Sequence, residues 1–292
     1  MQSTYVLAIG EALIDAVSSD FVEDLSQARL LEMNPGGSPA NFCRFLNLLG
    51  SQAKLVAALG TDGLATIILN DLRSKGIGTS AIQQIPDLPT TLILVGKSRG
   101  TPDFIPYRGA DQHIDAIKDE LINGCSILHS TAFALSREPA QTNILTAMHR
   151  AKDMGKQISI DWNYAKKVWG SNNNSKAVFQ KITRLNPLVK FSLDDVERFT
   201  GQALDAPAAM QFLDQFETKL TCLTCGAAGV WYKDQSHSWQ HAAATPVQVK
   251  DSTGAGDSFW AGFIHGRLQN LSMESCIDKA LATAAKRLEG HF

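Results

Sequence analysis

Cysteine is scarce in this sequence. Five cysteines among 292 residues are too few for a disulfide scaffold. One CxxC pair is present, Cys222 and Cys225, but a structural zinc site would need a second pair at a fitting spacing. We interpret the two cysteines as small, partly buried strand residues; a redox function is the alternative.

Long apolar runs and an excess of charge are also lacking. No segment could span a bilayer, and the apolar run near the N-terminus is too short for a signal peptide. The 27 basic and 29 acidic residues leave a net charge of −2, so no basic surface is expected for nucleic acid or an acidic membrane. No HExxH pattern supports metal-dependent hydrolysis. We expect a cytoplasmic protein without nucleic-acid or membrane partners.

Apolar, β-rich runs alternate with segments of helical periodicity. Continuous apolar strands linked by helices predict a mainly parallel sheet covered on both faces. Glycines at the ends of several helices suit left-handed C-terminal caps. The predicted strands are 5–9, 53–59, 126–130, 157–161, 187–192, 219–224 and 229–233, and the predicted helices are 39–50, 63–76, 138–155 and 194–201, with glycines at Gly50, Gly76, Gly155 and Gly201.

Two extended, turn-rich stretches break this alternation, residues 11–33 and about 88–110. They cannot easily join the parallel sheet, so we predict that they form a small separate β-element within a single domain, 1–292. A β-flap over a cleft is one use of such segments, and a surface hairpin is the alternative.

The stretch DSTGAGDSFWAGF, residues 251–263, follows a strand-forming run at 245–250, and helical periodicity begins at about Ser258. The small residues before Asp257 would let a ligand approach the backbone, and free N–H groups at a helix start can bind an anion. Asp257 would project into the same cleft as a base or as an orienter of a hydroxyl. A structural cap in a tight turn is the alternative.

The positive end of a helix should lower the pKa of Asp257, which would weaken it as a base. Phosphoryl transfer tolerates a weak base, because positioning and charge stabilisation dominate that reaction. The pattern therefore favours phosphate transfer over proton abstraction from carbon. A P-loop is excluded because Thr91 occupies the position of its first glycine, and the glycines at 254 and 256 lie too near the C-terminus to open a dinucleotide-binding unit.

A second glycine cluster, Gly36-Gly37, precedes a predicted helix whose first turn holds Pro39 and Asn41. Proline there has a sufficient structural explanation. Asn41 could cap the helix, or could offer a donor and an acceptor to a polyol. Asp15 follows the first strand, at the end where open parallel sheets bind ligands.

Together these motifs resemble the ribokinase-like (PfkB) carbohydrate kinases, and DSTGAGDSFWAGF closely resembles the family's C-terminal signature. GEALID, GGSPAN, DWN, VKFSLDD and TCGAAG resemble its other motifs in the same order, from about residue 5 to 288. The resemblance implies a three-layer α/β ribokinase-like fold, with a central mainly parallel sheet flanked by helices and a small β-lid over the sugar. It also implies transfer of the γ-phosphate of ATP to a sugar hydroxyl.

The resemblance assigns roles around the reacting groups. Asp257 would be the base, and the amides of Gly254, Ala255 and Gly256 would form an anion hole. Residues matching the sugar-binding positions are Asp15, Gly36, Gly37, Asn41 and the lid residue Arg108, for which a solvated loop charge is the alternative.

The resemblance also assigns a nucleotide side. Thr224, Gly226 and Gly229 match the turn that touches the phosphates of ATP, and Asn163 and Ser192 match polar positions near the phosphates and Mg²⁺. Asp195 matches the acidic position that reaches magnesium-bound water. Asp251 and Thr253 match positions that help bind a monovalent cation such as K⁺.

Three departures bear on function. Asp195 stands where the family usually has glutamate, Ala165 replaces an arginine and is followed by Lys166 and Lys167, and the chain ends at KRLEGHF, earlier than many relatives. A bidentate phosphate contact could be lost with the arginine, since lysine is an incomplete substitute. Because of the early end, the sequence does not predict which residues complete the cation loop and the adenine pocket.

Ser38 occupies the position where ribose-specific members carry lysine, which favours a fructokinase-like hexose or keto-sugar kinase. A 2-keto-3-deoxy-sugar-acid kinase is the nearest rival, and a nucleoside kinase fits less well. A catalytically reduced sugar-binding or regulatory homologue is the alternative from another class. The resemblance also implies a homodimer that pairs through the lid.

Overall fold

The computed structural model describes residues 5–98, 103–170, 174–235 and 238–292. The strands are β1 (Tyr5–Ile9), β2 (Leu13–Ser18), β3 (Leu31–Gly36), β4 (Ala53–Leu59), β5 (Ile82–Gln84), β6 (Leu92–Gly96), β7 (Asp103–Tyr107), β8 (Cys125–Thr131), β9 (Gln157–Asp161), β10 (Leu188–Ser192), β11 (Leu220–Thr224), β12 (Val230–Asp234) and β13 (Gln240–Ala242). The helices are α1 (Ser38–Leu48), α2 (Gly63–Ser74), α3 (Asp119–Gly124), α4 (Ala140–Asp153), α5 (Lys166–Trp169), α6 (Ser175–Thr183), α7 (Leu193–Thr200), α8 (Ala206–Leu213), α9 (Ala255–Leu268) and α10 (Met273–Leu288).

The main sheet has nine strands in the order β13-β12-β11-β10-β9-β8-β1-β4-β5. Its strands from β11 to β5 pair in parallel, and β12 and β13 add an antiparallel edge. The seven predicted strands all belong to this sheet, so the prediction of a mainly parallel sheet is confirmed. Because the carboxyl ends of parallel strands share one edge, β1, β9, β10 and β11 deliver their last residues to the same region.

Helices cover both faces of this sheet, because the strands are apolar on both sides. One buried cluster joins the sheet to α1, α2, α9 and α10 and contains Phe42, Trp260 and Phe263. The other joins it to α3 through α8 and contains Trp162 and Phe179. The expected three-layer α/β architecture is therefore confirmed.

The two extended segments form a second sheet of four strands, in the order β3-β2-β6-β7. β2 pairs with β3 antiparallel and with β6 in parallel, and β6 pairs with β7 antiparallel. This lid sheet is the small separate β-element that the sequence predicts. β3 ends at Gly36 and leads directly into α1, so the lid and the first turn of α1 are held together. The predicted turn between β6 and β7 includes residues 99–102, which lie outside the described residues.

The predicted strand at 245–250 is wrong. This segment runs without strand pairing past the end of α10, where Lys250 N donates to Leu288 O at 2.8 Å. The predicted helix start near Ser258 is also three residues late, since α9 begins at Ala255. Gly254 adopts a left-handed conformation, φ +74°, which turns the chain into the helix earlier than the apolar periodicity indicates.

The predicted glycine caps are confirmed, since Gly50, Gly76, Gly155 and Gly201 all have positive φ. Cys222 is buried in β11, whereas Cys225 lies in the turn after that strand, and both thiols are free. Within the described ranges, no three His, Cys, Asp or Glu side chains converge as a metal site. In the same part of the chain no helix combines the length and apolar character needed to cross a membrane.

Candidate active site

Asp257 lies in the first turn of α9, where this helix meets the first turn of α1. Its Oδ1 accepts a hydrogen bond from Ser38 Oγ at 2.5 Å, and its Oδ2 accepts one from Asn41 Nδ2 at 2.9 Å. Each oxygen of the carboxylate therefore has its own donor from α1. The positive ends of two helices converge on one half-buried negative charge, which favours the ionised form.

Burial nevertheless has the larger effect on this carboxyl group. It raises the pKa of Asp257 above the usual range, although the hydrogen bonds from Ser38 and Asn41 and the charges of Lys190 and Arg44 oppose the rise. The expectation from the sequence that the helix end would lower this pKa is wrong, because position along the chain does not show that the group is removed from water. A raised pKa makes Asp257 a better proton acceptor once it is ionised.

The first turn of α9 also offers backbone donors. Ala255 N donates to Ser252 O at 3.2 Å, and Ser258 N donates to Gly254 O at 2.9 Å. Of the three amides predicted to form the anion hole, that of Ala255 therefore already has an acceptor, whereas the amides of Gly256 and of the next residue, Asp257, have none in the described part of the chain. The first N–H groups of a helix lack partners within it, so these two can point at an anion.

A buried ion pair lies directly below this turn. Lys190 Nζ, from β10, donates to both carboxylate oxygens of Asp161, from β9, at 2.9 and 3.0 Å. A Cβ atom on Gly256 would lie 2.9 Å from Lys190 Nζ, so a larger residue here would require the ammonium group to move. Burial alone would lower the pKa of Lys190, but the carboxylates of Asp161, Asp195 and Asp257 raise it, and Lys190 stays charged.

The sequence analysis missed this pair, although a signal was present. Lys190 interrupts the apolar strand PLVKFS, and Asp161 ends the apolar strand QISID. Charged residues are almost never fully buried unless they are paired. Two charges within strands that are predicted to be buried could therefore have indicated a partnership at the sheet edge.

Two neighbouring cavities lie over the sheet edge beside the first turn of α9. The first, about 540 Å³, is lined by Asp161, Asn163, Lys190, Ser192, Asp195 and Asp257 among others. The second, about 510 Å³, lies against α9, α10 and residues 244–249, with Val247, Val249, Phe259, Leu281 and Leu288 in its wall. Both include Thr224, Gly226, Ser252, Ala255 and Gly256 in their walls. One cleft thus has a charged end beside Asp257 and an apolar end, which suits a phosphorylated ligand with a flat, weakly polar ring system.

The predicted nucleotide-side residues line this cleft. Thr224 ends β11, and Gly226 and Gly229 flank the short turn that follows. Gly229 has φ +92°, and a Cβ atom there would lie 2.1 Å from Ala242 O, so this turn requires glycine. α10 completes the apolar wall of the cleft. An apolar pocket is therefore present, which the sequence alone did not predict.

Asp195 and Ser192 form a reciprocal cap at the start of α7. Asp195 Oδ2 accepts from Ser192 N at 2.8 Å, and Ser192 Oγ accepts from Asp195 N at 3.0 Å. The short aspartate side chain suits this cap. Asn163 Oδ1 is buried and has no partner in the described part of the chain. Oxygen groups of this kind fit a hard cation such as Mg²⁺, so these residues fit the group that the resemblance implies.

The predicted sugar-side residues gather on the other side of Asp257. Asp15 lies in β2 opposite Asn34 of β3. A Cβ atom on Gly36 would lie 2.0 Å from Asp15 Oδ2, so glycine leaves the space that this carboxylate occupies. Burial first, and then the charge of Asp257, raise the pKa of Asp15 to about 6. Gly37 packs with equally little room against the backbone of Glu11.

Arg108 follows β7, and its side chain is only 8% exposed. Its Nε donates to Asp111 Oδ2 at 2.7 Å, its Nη1 donates to Ser136 Oγ at 2.9 Å, and its guanidinium group lies 4.1 Å from the centre of the Phe133 ring. The alternative interpretation as a solvated loop charge is therefore wrong.

The two predicted cation-site residues lie in the loop before α9. Asp251 Oδ1 accepts from Thr253 N at 2.9 Å, and Asp251 Oδ2 pairs with Arg287 of α10 at 2.5 Å. The loop is thereby tied to the last turn of α10. The carboxylate has an internal partner, and a cation would have to compete with Arg287 for it.

Comparison with known families identifies the chain. The sequence model of the protein family described as "pfkB family carbohydrate kinase" matches residues 3–291. The chain belongs to the pfkB family of carbohydrate kinases. The resemblance noted from the motifs is thus confirmed, and the fold with its lid sheet is that of a ribokinase-like enzyme.

Individual relatives of this pfkB kinase cover nearly its whole length. It is 30% identical over 286 residues to an ATP-dependent 6-phosphofructokinase of Thermoanaerobacterium thermosaccharolyticum, covering 97% of this chain and 87% of that protein. The structure of Halothermothrix orenii fructokinase superimposes with a TM-score of 0.86 at 32% identity, covering 96% and 98%. A Vibrio cholerae O395 fructokinase double mutant, in a fructose-, ADP- and potassium-bound form, has the same fold with a TM-score of 0.82 at 22% identity, covering 98% and 93%.

Ala165, where the motif resemblance leads us to expect an arginine, is the N-cap of α5. Lys167, two residues later, contacts the lid. Its Nζ pairs with Asp103 at 2.9 Å and lies 5.2 Å from the centre of the Phe104 ring. Lys167 therefore ties α5 to the lid strand β7.

Proposed function

We propose that this pfkB carbohydrate kinase is ATP-dependent and transfers the γ-phosphate to a hydroxyl of fructose or of a related hexose or keto-sugar. The observation that carries the proposal is the position of Asp257. Its half-buried carboxylate lines the charged end of the cleft and also accepts a hydrogen bond from Asn41, beside Asp15. A base in that position can meet a sugar hydroxyl on one side and a phosphoryl group on the other.

Each residue then has a task that its geometry supports. Asp257 takes the proton of the attacking hydroxyl late in the transfer, when that oxygen has become acidic. The amides of Gly256 and Asp257, together with Lys190, stabilise the negative charge that moves through the phosphoryl group. The sugar would be held by Asp15 under the lid, with Arg108 fixing the end of lid strand β7 through Asp111 and Ser136. Mg²⁺ bound with ATP would supply further positive charge, held through Asn163 and Asp195.

Fructose is the first candidate because two relatives at 30% and 32% identity are named for kinases of fructose or its 6-phosphate. Ser38 supports it as well, since it occupies the position of the lysine found in ribose-specific members. The 2-keto-3-deoxy-sugar acids stay the nearest alternative. A monovalent cation requirement and a cytoplasmic location belong to the same proposal, the former at Asp251 and Thr253.

We expect ATP consumption with fructose or a close analogue in the presence of Mg²⁺ and K⁺. The measurement is a coupled ATP assay against fructose, fructose 6-phosphate, glucose, ribose, a 2-keto-3-deoxy-sugar acid and a nucleoside, repeated without each cation. A preference for the sugar acid would change the proposed substrate but leave the proposed phosphoryl transfer unchanged. No turnover with any acceptor, alongside sugar binding by calorimetry, would contradict a kinase and favour a sugar-binding homologue.

We also propose that the protein forms a homodimer through the lid. Leu31, Met33, Ile105 and Tyr107 are exposed and share one face of the lid sheet, opposite the face that carries Asp15. Contiguous apolar side chains on one face are typical of an interaction surface.

Light scattering should therefore give twice the mass of the chain, and Met33→Glu should halve it, because a buried unpaired charge opposes association. Leu48→Glu, which changes an exposed leucine at the end of α1, is the control and should stay dimeric. A monomeric wild-type protein at the concentrations used in the assay would exclude the dimer.

A further inference from the structure

Arg44 is a buried cation one turn after Asn41 on α1, and no role follows for it from the motifs. It is 8% exposed. Its Nε donates to Asp71 Oδ2 of α2 at 2.7 Å, and its Nη1 donates to Asn41 Oδ1 at 2.5 Å. An arginine side chain offers only donors, in a rigid planar fork. Asp71 thus anchors one edge of the guanidinium group, and the other edge is directed at Asn41.

This contact decides how the amide of Asn41 is oriented. An asparagine amide has one acceptor end and one donor end, and rotation by half a turn exchanges them. With its oxygen held by Arg44, the amide must direct Nδ2 towards Asp257 Oδ2, where the distance is 2.9 Å. The opposite orientation would set an oxygen against the carboxylate and an NH₂ group against the guanidinium. Both ends of Asn41 are therefore used within the protein.

We propose that Arg44 is a positioning residue for phosphoryl transfer: it locks the Asn41 amide as a donor to Asp257 and so keeps the base oriented and ionised. In this proposal Asn41 acts on the base, and its contact with the sugar is secondary. The inference rests on the proposed kinase function, because it takes Asp257 as the base.

The charges around Asp257 support the proposal that Arg44 keeps this carboxylate ionised. Lys190 of β10 and Arg44 of α1 face Asp257 and lower its pKa, against the rise caused by burial. Asp15 of β2 lies close enough that Asp257 raises the pKa of Asp15, while Arg44 lowers it. Burial first, and then the charges of Asp195 and Asp257, raise the pKa of Asp161 of β9, against the charge of Lys190. Arg44 and Lys190 are thus the two cations among five neighbouring carboxylates, those of Asp15, Asp71, Asp161, Asp195 and Asp257.

Arg44→Met tests the proposal, since it keeps most of the side-chain volume and removes both charge and donors. We expect kcat to fall about 10- to 100-fold, because a misplaced reacting group is costly. A base works only when ionised, and loss of the cation raises the pKa of Asp257. The acid limb of the kcat profile should therefore move to higher pH by about one unit. KM for ATP should stay as in the wild type.

Arg44→Lys separates the two effects. It keeps the charge but cannot hold Asp71 and Asn41 through one planar fork, so kcat should fall while the acid limb stays in place. Asn47→Ala is the matched control, because Asn47 Nδ2 also links α1 to the end of α2, through Gly76 O at 3.0 Å, away from the base. That variant should lower the urea midpoint without changing kcat or the pH profile.

The side-chain amide resonances of Asn41, assigned by their loss in Asn41→Asp, give a measurement that needs no turnover. In the wild type these protons should exchange slowly and shift as Asp257 titrates, and in Arg44→Met both properties should be lost. A folded Arg44→Met protein with wild-type kcat, acid limb and Asn41 resonances would overturn the inference. A wild-type protein that phosphorylates no sugar would instead overturn the proposed function, and the resonances would still decide whether Arg44 holds Asn41.

Discussion

Asp257→Asn is expected to lower kcat by about 10²- to 10⁴-fold, the range typical of losing a general base. The amide has nearly the same shape but cannot accept the proton of the sugar hydroxyl. One of its two terminal atoms also becomes a donor, facing either Ser38 Oγ or Asn41 Nδ2, which donate to the carboxylate in the wild type. ATP binding should stay largely intact, because the apolar end of the cleft does not include Asp257.

The measurement is kcat in the coupled ATP assay together with ATP affinity by calorimetry. Glu274→Gln is the matched control, since it makes the same acid-to-amide change at an exposed position in the first turn of α10. That variant should keep wild-type turnover. Undiminished turnover of Asp257→Asn would rule out Asp257 as the base, whereas loss of ATP binding along with turnover would indicate a disturbed cleft.

Lys190→Met is expected to have the second largest effect, on both stability and activity. It leaves the carboxylate of Asp161 buried without its partner, and breaking a buried pair in this way costs about 3–5 kcal/mol of unfolding free energy. It also removes the ammonium group beside Gly256. Since preorganised charge at a reacting anion contributes about 10²-fold or more to kcat, turnover should fall by at least that factor.

The double variant Lys190→Met/Asp161→Asn separates the two effects. Replacing the carboxylate by a neutral amide removes the unpaired charge. The double variant should therefore regain most of the lost free energy of unfolding, as measured by urea unfolding. Turnover should stay low, because the cation is still missing from the phosphate end of the cleft. A double variant that regains both stability and turnover would show that Lys190 serves only the fold.

The main sheet could be predicted closely because its signals are local. Runs such as YVLAI at β1 and QISID at β9 are continuous and apolar, which is typical of strands buried on both faces. Glycines at helix ends coincide with left-handed caps, since few other residues adopt that conformation at low cost. Residues 245–250 show the limit of this reasoning, because a strand-like composition forms no strand where no neighbouring strand is available.

The candidate site was predicted in its motifs but not in its contacts. The clusters around Gly37 and Asp257 are visible in the sequence because glycine and small residues near helix starts have few other uses. The contact between these two clusters is not visible in the sequence, because Ser38 and Asp257 lie 219 positions apart. The direction of the pKa shift of Asp257 was also mispredicted. A helix end is a local feature, whereas burial depends on everything packed around the group.

The sequence by itself therefore determined the fold class, the family and the position of the candidate base, since each of these depends on periodicity or on glycine-rich turns. Only the tertiary structure decided which charges accompany that base. Lys190, Asp161 and Arg44 belong to separate elements, and the order of the strands brings them around Asp257. Sheet order and helix packing arise from contacts between distant segments, so the electrostatics of this site is a property of the folded chain.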